Sequence, residues 1–251
     1  MLSKKQIKDI VSLRVKKNRK ETGLYLAEGE KLVDDLIKSS AAIQKVFYTD
    51  SCKQRYSGHN TSSEEISRVE MKKISNLTNP SSVLAIVEIP EYDIEEIHFN
   101  DSLILALDFI QDPGNLGTII RLADWFGIDT ILCSEDTVDT YSPKVIQSCM
   151  GSIARVKVLY CDLFKTISKS TQKKALPVYG TFIQGENIYQ KTLTKNGIIV
   201  LGNEGNGISE RIQKIIDHKI HIPCFALNRD SAESLNVAMA TAIVLSEFRR
   251  R

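Results

Sequence analysis

The chain has 251 residues, 42% hydrophobic and 25% charged, with a formal net charge of +2. This composition excludes a disordered or fibrous chain and allows one large or two smaller globular domains. No apolar run approaches the roughly 20 residues of a membrane helix, and the start lacks a secretory apolar core; five widely and irregularly spaced cysteines fit a reduced, cytoplasmic compartment.

Residues 1–20 hold eight Lys or Arg against one Asp. Ile7, Ile10, Val11 and Val15 recur at helical spacing with lysines on the other face, which predicts one amphipathic helix. Lys16, Lys17, Arg19 and Lys20 at its end are either a solvated face or a contact for RNA phosphates. A mitochondrial presequence would share this character, but the next pattern follows without a spacer. Leu24–Leu26 is short and apolar, Glu28-Gly29 is turn chemistry, and Leu32, Val33, Leu36 and Ile37 mark one helix face. Lys45–Thr49 reads as a strand and Ile66–Glu70 as a second, short one. Met71, Ile74 and Leu77 predict a helix that stops before Pro80. Val83–Ile89 reads as a buried strand. Residues 1–90 therefore form a small α/β domain in this reading, and the acidic stretch 91–100 after Pro90 a linker.

A second α/β series occupies residues 101–251. Leu103–Phe109 has the continuous apolarity of a central parallel strand. The turn Gln111–Asn115 leads into a helix carrying Ile119, Ile120, Leu122, Ala123 and Phe126, which Gly127 ends. Thr130–Cys133, Val156–Tyr160, Val178–Phe182, Ile198–Leu201 and Lys219–Ile222 read as strands. Pro143–Met150, a segment around Leu163 and Ile167, Ser209–Ile216 and Ser234–Phe248 read as helices. Such alternation implies a mainly parallel sheet covered by helices. If the last two strands pair, their terminal loops lie side by side, where ligands sit in open α/β sheets.

Metal and disulfide chemistry find little support. Cys52, Cys133, Cys149, Cys161 and Cys224 are irregularly spaced with no C-x-x-C pair, and His218 and His221 lack a third ligand nearby. Three other stretches could carry chemistry. In Asp112–Arg121 (DPGNLGTIIR), Asn115 falls near a helix start and Arg121 about two turns on. Arg121 either covers the apolar helix face with its stem or aims its guanidinium at a phosphate or carboxylate. In Leu201–Gly207 (LGNEGNG), three glycines permit close backbone approach, and Glu204 suits a cationic or hydroxyl-bearing ligand better than a phosphate. A plain strand-to-helix turn would look the same. In Ser231–Ala238 (SAESLNVA), Ser231 and Ser234 are both N-cap residue types, and Ser234 or Asn236 would stand beside free N–H groups at a helix start.

The order and pairing of these stretches resemble the SpoU (TrmH-like) branch of the SPOUT RNA methyltransferases. The matching residues are NLGTIIR (Asn115–Arg121), LGNEGNGIS (Leu201–Ser209), Ile222-Pro223 and SLNV (Ser234–Val237). The N-terminal segment LYLAEGEKLV is similar to the opening of that family's RNA-binding domain, which has a ribosomal-protein-like fold. This resemblance implies a parallel-sheet domain with a deep trefoil knot, a homodimer formed through the C-terminal domain, and S-adenosyl-L-methionine as methyl donor to a ribose 2′-hydroxyl. It assigns Arg121 the catalytic role, supported by Asn115, Glu204, Ser234 and Asn236. Leu201, Gly202, Gly207, Ile222 and Leu235 would line the donor, with Gly202, Ile222 and Leu235 contributing mainly backbone. Arg121 would be either a general base or a phosphate clamp that steadies a developing alkoxide. One departure concerns Cys224–Glu233, where the family often has a shorter loop with a glycine. The expected partner is structured RNA, most simply ribosomal, with transfer RNA as the alternative and with neither metal nor membrane involved. A non-catalytic RNA-binding protein of the same fold is the main rival. A nucleotide-dependent oxidoreductase lacks its G-x-G-x-x-G fingerprint.

Overall fold

The computed structural model describes residues 1–58, 62–99, 101–173, 176–226 and 233–250. The chain forms two compact units, one of residues 1–91 with 139–155, the other of residues 92–138 with 156–251.

The first unit has a four-stranded sheet among its described residues, in the order β1 (Leu24–Glu28), β4 (Val83–Glu88), β2 (Ile43–Tyr48), β3 (Ser63–Glu65). β4 runs antiparallel to both β1 and β2, and β3 pairs parallel with β2. Its helices are α1 (Lys4–Ser12), α2 (Lys16–Thr22), α3 (Glu30–Lys38), α4 (Lys53–Tyr56) and α5 (Arg68–Ile74). The basic head is thus two helices rather than one. Ser3 opens α1 with a capping box, and the chain turns after Ser12 before resuming at Lys16. The expected strand at Ile66–Glu70 is also corrected. Ser67 accepts a hydrogen bond from the Glu70 N–H, and the Glu70 carboxylate accepts from the Ser67 N–H, which starts α5 instead. The Ser67 N–H and the Ser67 hydroxyl, together with the Leu2 N–H, donate to the Glu70 carboxylate and hold its pKa down to about 2. Leu2, Ile10, Leu13, Leu26, Phe47, Met71, Ile74 and Leu84 form the core of this unit.

The second unit is a six-stranded sheet, again among the described residues. Its strands are β5 (Leu103–Asp108), β6 (Thr130–Cys133), β7 (Lys157–Tyr160), β8 (Val178–Asn187), β9 (Gly197–Gly202) and β10 (His218–His221). Their order is β10-β8-β9-β5-β6-β7, and every pairing is parallel. Strands β5 and β9 pair over six residues, from Leu103 opposite Gly197 to Asp108 opposite Gly202. Both are buried almost throughout, as central parallel strands must be. Helices α6 (Pro113–Trp125), α8 (Leu163–Lys173), α9 (Glu210–Gln213) and α10 (Val237–Arg250) complete the unit, and α6 packs on α10.

Three expectations change here. β9 and β10 do not pair, because β8 stands between them. At about 4.8 Å per strand spacing, their ends lie on the order of 10 Å apart. β8 also runs on through the polar residues Gln184–Asn187, which pair with β10 at Ile220 and His221 after a register shift. The acidic stretch after Pro90 is no free linker. Tyr92, Ile94, Ile97 and Phe99 are half-buried against the core that contains Ile104, Leu159 and Ile167.

Residues 139–155 belong to the first unit although the chain on either side belongs to the second. They contain α7 (Pro143–Cys149), which contacts β1, and a short 3-10 turn that contacts α3. Asp139 pairs with the buried Arg19 at 2.5 Å. At Gly151 an added Cβ would stand 2.0 Å from the Asp35 carboxylate, so the turn is seated closely on α3.

Candidate active site

At the carboxyl end of β9, beside the end of β5, the chain makes a tight bend. After β9, Gly202 is followed by a loop that Asn203 and Gly207 close by exchanging two backbone hydrogen bonds, of 3.0 and 2.8 Å. Glycine is required at 202, since a Cβ there would lie 2.3 Å from the backbone of Gly207. Gly207 itself has φ +66°, open to glycine at no steric cost. The side chain of Asn203 holds the loop from within, with Oδ1 accepting from the N–H groups of Gly205 and Asn206. Its amide nitrogen donates to the carbonyl of Phe109, just past β5, at 2.9 Å. Buried Asp108 accepts the N–H of Ser209 at 2.7 Å, which ties the far end of the loop to the same strand.

Three predicted residues converge at this point. Asn115 comes from the first turn of α6, whose N-cap Asp112 accepts the Asn115 N–H. Asn236 caps α10, its Oδ1 accepting from the N–H groups of Ala238 and Met239 at 3.0 and 3.3 Å. The amide nitrogen of Asn115 donates to Glu204 Oε1. That of Asn236 donates to Asn115 Oδ1 at 3.0 Å and to Glu204 Oε1 at 3.4 Å. One carboxylate therefore joins two helix starts to the loop after β9. Glu204 Oε2 makes no hydrogen bond among the described residues, so the group keeps an exposed anionic acceptor.

The other predicted residues lie outside this hydrogen-bonded group. Arg121 is exposed on α6. It is six residues past Asn115, roughly 240° around the helix, and so on a different face. Ser234 is exposed two residues before Asn236. Leu201 is buried at the end of β9, Ile222 is half-buried after β10, and Leu235 is 49% exposed ahead of α10. Within the loop Cys224–Glu233, residues 227–232, including the candidate cap Ser231, lie outside the described residues. The donor site implied by the resemblance fits these residues in kind: a bend with glycine at 202, 205 and 207, where a ligand can approach the backbone, an apolar Leu235 at the surface, and a carboxylate with a free oxygen for a cationic ligand. No cluster of three or more metal-ligating side chains occurs among the described residues.

In the first unit Lys16, Lys17 and Lys20 are exposed, Lys17 in a loose pair with Glu21. Arg19 is a correction. It is 3% exposed, donates twice to Asp139 and once to the Leu13 carbonyl at 2.7 Å, and is not available to phosphate. Sequence reasoning missed Asn203 and Asp108, which hold the loop on β5. The signal for Asn203 was an asparagine in a glycine-rich turn, a residue suited to such internal bonding.

Comparison with known proteins agrees with this geometry. Residues 102–246 match the model of the SpoU rRNA Methylase family, and residues 4–85 that of the MRM3-like substrate binding domain. The chain is 29% identical over 247 residues to the 23S rRNA (guanosine(2553)-2′-O)-methyltransferase RlmP of Bacillus subtilis, covering 97% of this chain and 96% of that protein. A solved structure of a TrmH-family protein from Porphyromonas gingivalis is 37% identical, with a TM-score of 0.90 over 100% of this chain and 99% of that one. The AdoMet-bound rRNA methyltransferase from Sinorhizobium meliloti is 29% identical, with a TM-score of 0.85 over 100% and 96% of the two chains. With its polar group built from the same stretches that carried the resemblance, the chain belongs to the SpoU rRNA methylase family.

Proposed function

We propose that this protein is an S-adenosylmethionine-dependent enzyme that methylates a ribose 2′-hydroxyl of ribosomal RNA. The observation that carries the reading is the hydrogen-bonded group of Asn115, Glu204 and Asn236 beside the Gly202–Gly207 bend, in a chain of this family. The bound donor supplies a methyl group made electrophilic by its sulfonium. Gly202, Gly207, Ile222 and Leu235 would hold it, with Leu201 anchoring the bend in the core. Asn115 and Asn236 fix the Glu204 carboxylate with one oxygen free, an acceptor for a cation or for the hydroxyl proton. Arg121, exposed and unpaired among the described residues, would clamp an RNA phosphate or steady charge growing on the ribose oxygen. In-line placement of the two reacting groups then supplies much of the acceleration.

The first unit would grip RNA through Lys16, Lys17 and Lys20. The second unit would carry a trefoil knot, supported by a sheet in which β10 returns beside β8 after β9 has joined β5. A homodimer is supported by exposed apolar residues at the end of α6 and the start of α10, with Trp125 at 84% and Met239 at 54%. A cytoplasmic location goes with it.

The test is methyl transfer from labelled S-adenosylmethionine to in vitro transcribed 23S rRNA, with transfer RNA in parallel. Label should appear on a ribose 2′-oxygen of the 23S transcript, and the enzyme should run near twice its 28.2 kDa chain mass. Label confined to transfer RNA would move the substrate, label on a base would overturn the chemistry, and a monomer fully active in solution would remove the dimer.

A further inference from the structure

Phe109 follows β5 with φ +64°, in the left-handed region. A bulky aromatic residue rarely stands there, because its Cβ crowds the following carbonyl, whereas glycine adopts the conformation freely. The surroundings over-determine it. The Phe109 N–H donates to Ser134 Oγ at 2.9 Å, and its carbonyl accepts from Asn203 Nδ2 at 2.9 Å. Ser134 Oγ is 3.1 Å from Thr137 Oγ1, which donates to the Leu107 carbonyl, and Val138 N–H closes on the Ile110 carbonyl at 2.8 Å. Such strain is found where a site needs one particular side chain placed. Core packing does not explain this one, since Phe109 is only half-buried while its neighbours Asp108 and Ile110 are buried.

Its position in the sheet suggests the use. β5 lies between β9 and β6, and Phe109 is bonded to the loops that follow both. The bends assigned to the donor follow β9 and β10, both on one side of β5, which leaves the ends of β5 and β6 for the acceptor. The geometry points to Phe109 as the platform on which the base of the acceptor nucleotide, or its immediate neighbour, stacks when the ribose is presented. Unstacked RNA bases are characteristically held on aromatic rings, and such stacking tolerates any base. This inference rests on RNA being the methyl acceptor.

Four variants test it, assayed with in vitro transcribed 23S rRNA: Phe109→Gly, which frees the backbone and removes the ring; Phe109→Leu, which keeps apolar bulk without a π-face; and Phe109→Tyr and Phe109→Trp, which keep the ring. Gly and Leu should each raise the KM for RNA roughly 10- to 100-fold. Calorimetric affinity for S-adenosylmethionine should stay within about 2-fold, Tyr and Trp should restore the KM, and Phe109→Gly should melt no lower than the parent. The inference is overturned if Gly and Leu keep the parental KM, if the loss falls on donor affinity instead, or if Tyr and Trp fail as Leu does. Absence of methyl transfer by the unaltered protein would overturn the functional reading and this inference together.

Discussion

Two arginines in two regions stand in environments opposite to those their sequence neighbours suggest. Arg19 lies in the basic head, among Lys16, Lys17 and Lys20, yet it is buried and bonded to Asp139 and to a backbone carbonyl. Arg121 lies among the isoleucines and leucine of α6, yet it is exposed with no ion pair among the described residues. Local charge density is therefore a poor guide to which cation stays exposed. What decides is whether a carboxylate from elsewhere in the chain reaches it. Asp139 does so for Arg19 across 120 residues of sequence.

The sharpest way to break this contrast is Arg121→Ala. Turnover should fall about 10³-fold, roughly 4 kcal/mol of transition-state stabilisation, while affinity for S-adenosylmethionine by calorimetry stays near parental. Turnover within a few-fold of the parent would show the exposed arginine to be idle. Arg19→Ala should do the reverse. It strands Asp139 and should destabilise the first unit by about 3 kcal/mol, read as a melting temperature of that unit roughly 12 °C lower. Pairing Arg19→Met with Asp139→Leu should recover most of that loss, and no recovery would mean that the ion pair is not the source of it. The smallest effect should come from Lys16, Lys17 and Lys20 changed together to Ala. Affinity for the 23S transcript should drop about tenfold at moderate salt, with the slope of log affinity against log salt shallower by roughly one unit per lost phosphate contact. An unchanged slope would leave these lysines as a solvated face.

Much of the second unit was legible in the chain because its central strands β5, β6 and β9 are buried on both faces. Leu103–Leu107 and Ile198–Leu201 read as continuous apolar runs with nothing polar to confuse them. The stretches that carry Asn115, Glu204 and Asn236 stand out in the chain, and the fold joins these three side chains. Less was legible where long-range partners decide. Gln184–Asn187 carries no strand signal and becomes β8 only because β10 pairs with it. Ile66–Glu70 looks extended, but the reciprocal bonds of Ser67 and Glu70 start a helix. Arg19 could not be told from its neighbours without Asp139. Nor does anything in the run LILALDF mark its last residue as left-handed. That conformation comes from Ser134 and Asn203, each distant in sequence.

The short excursion at residues 139–155 has a practical consequence for anyone who would dissect the protein. The N-terminal unit is discontinuous along the polypeptide, and the backbone passes between the units at three places instead of one. A fragment cut after residue 91 would leave behind the counter-ion of its own interior guanidinium, and with it the helix that covers β1. Swapping this unit into a relative therefore calls for transplanting two separate pieces of sequence at once.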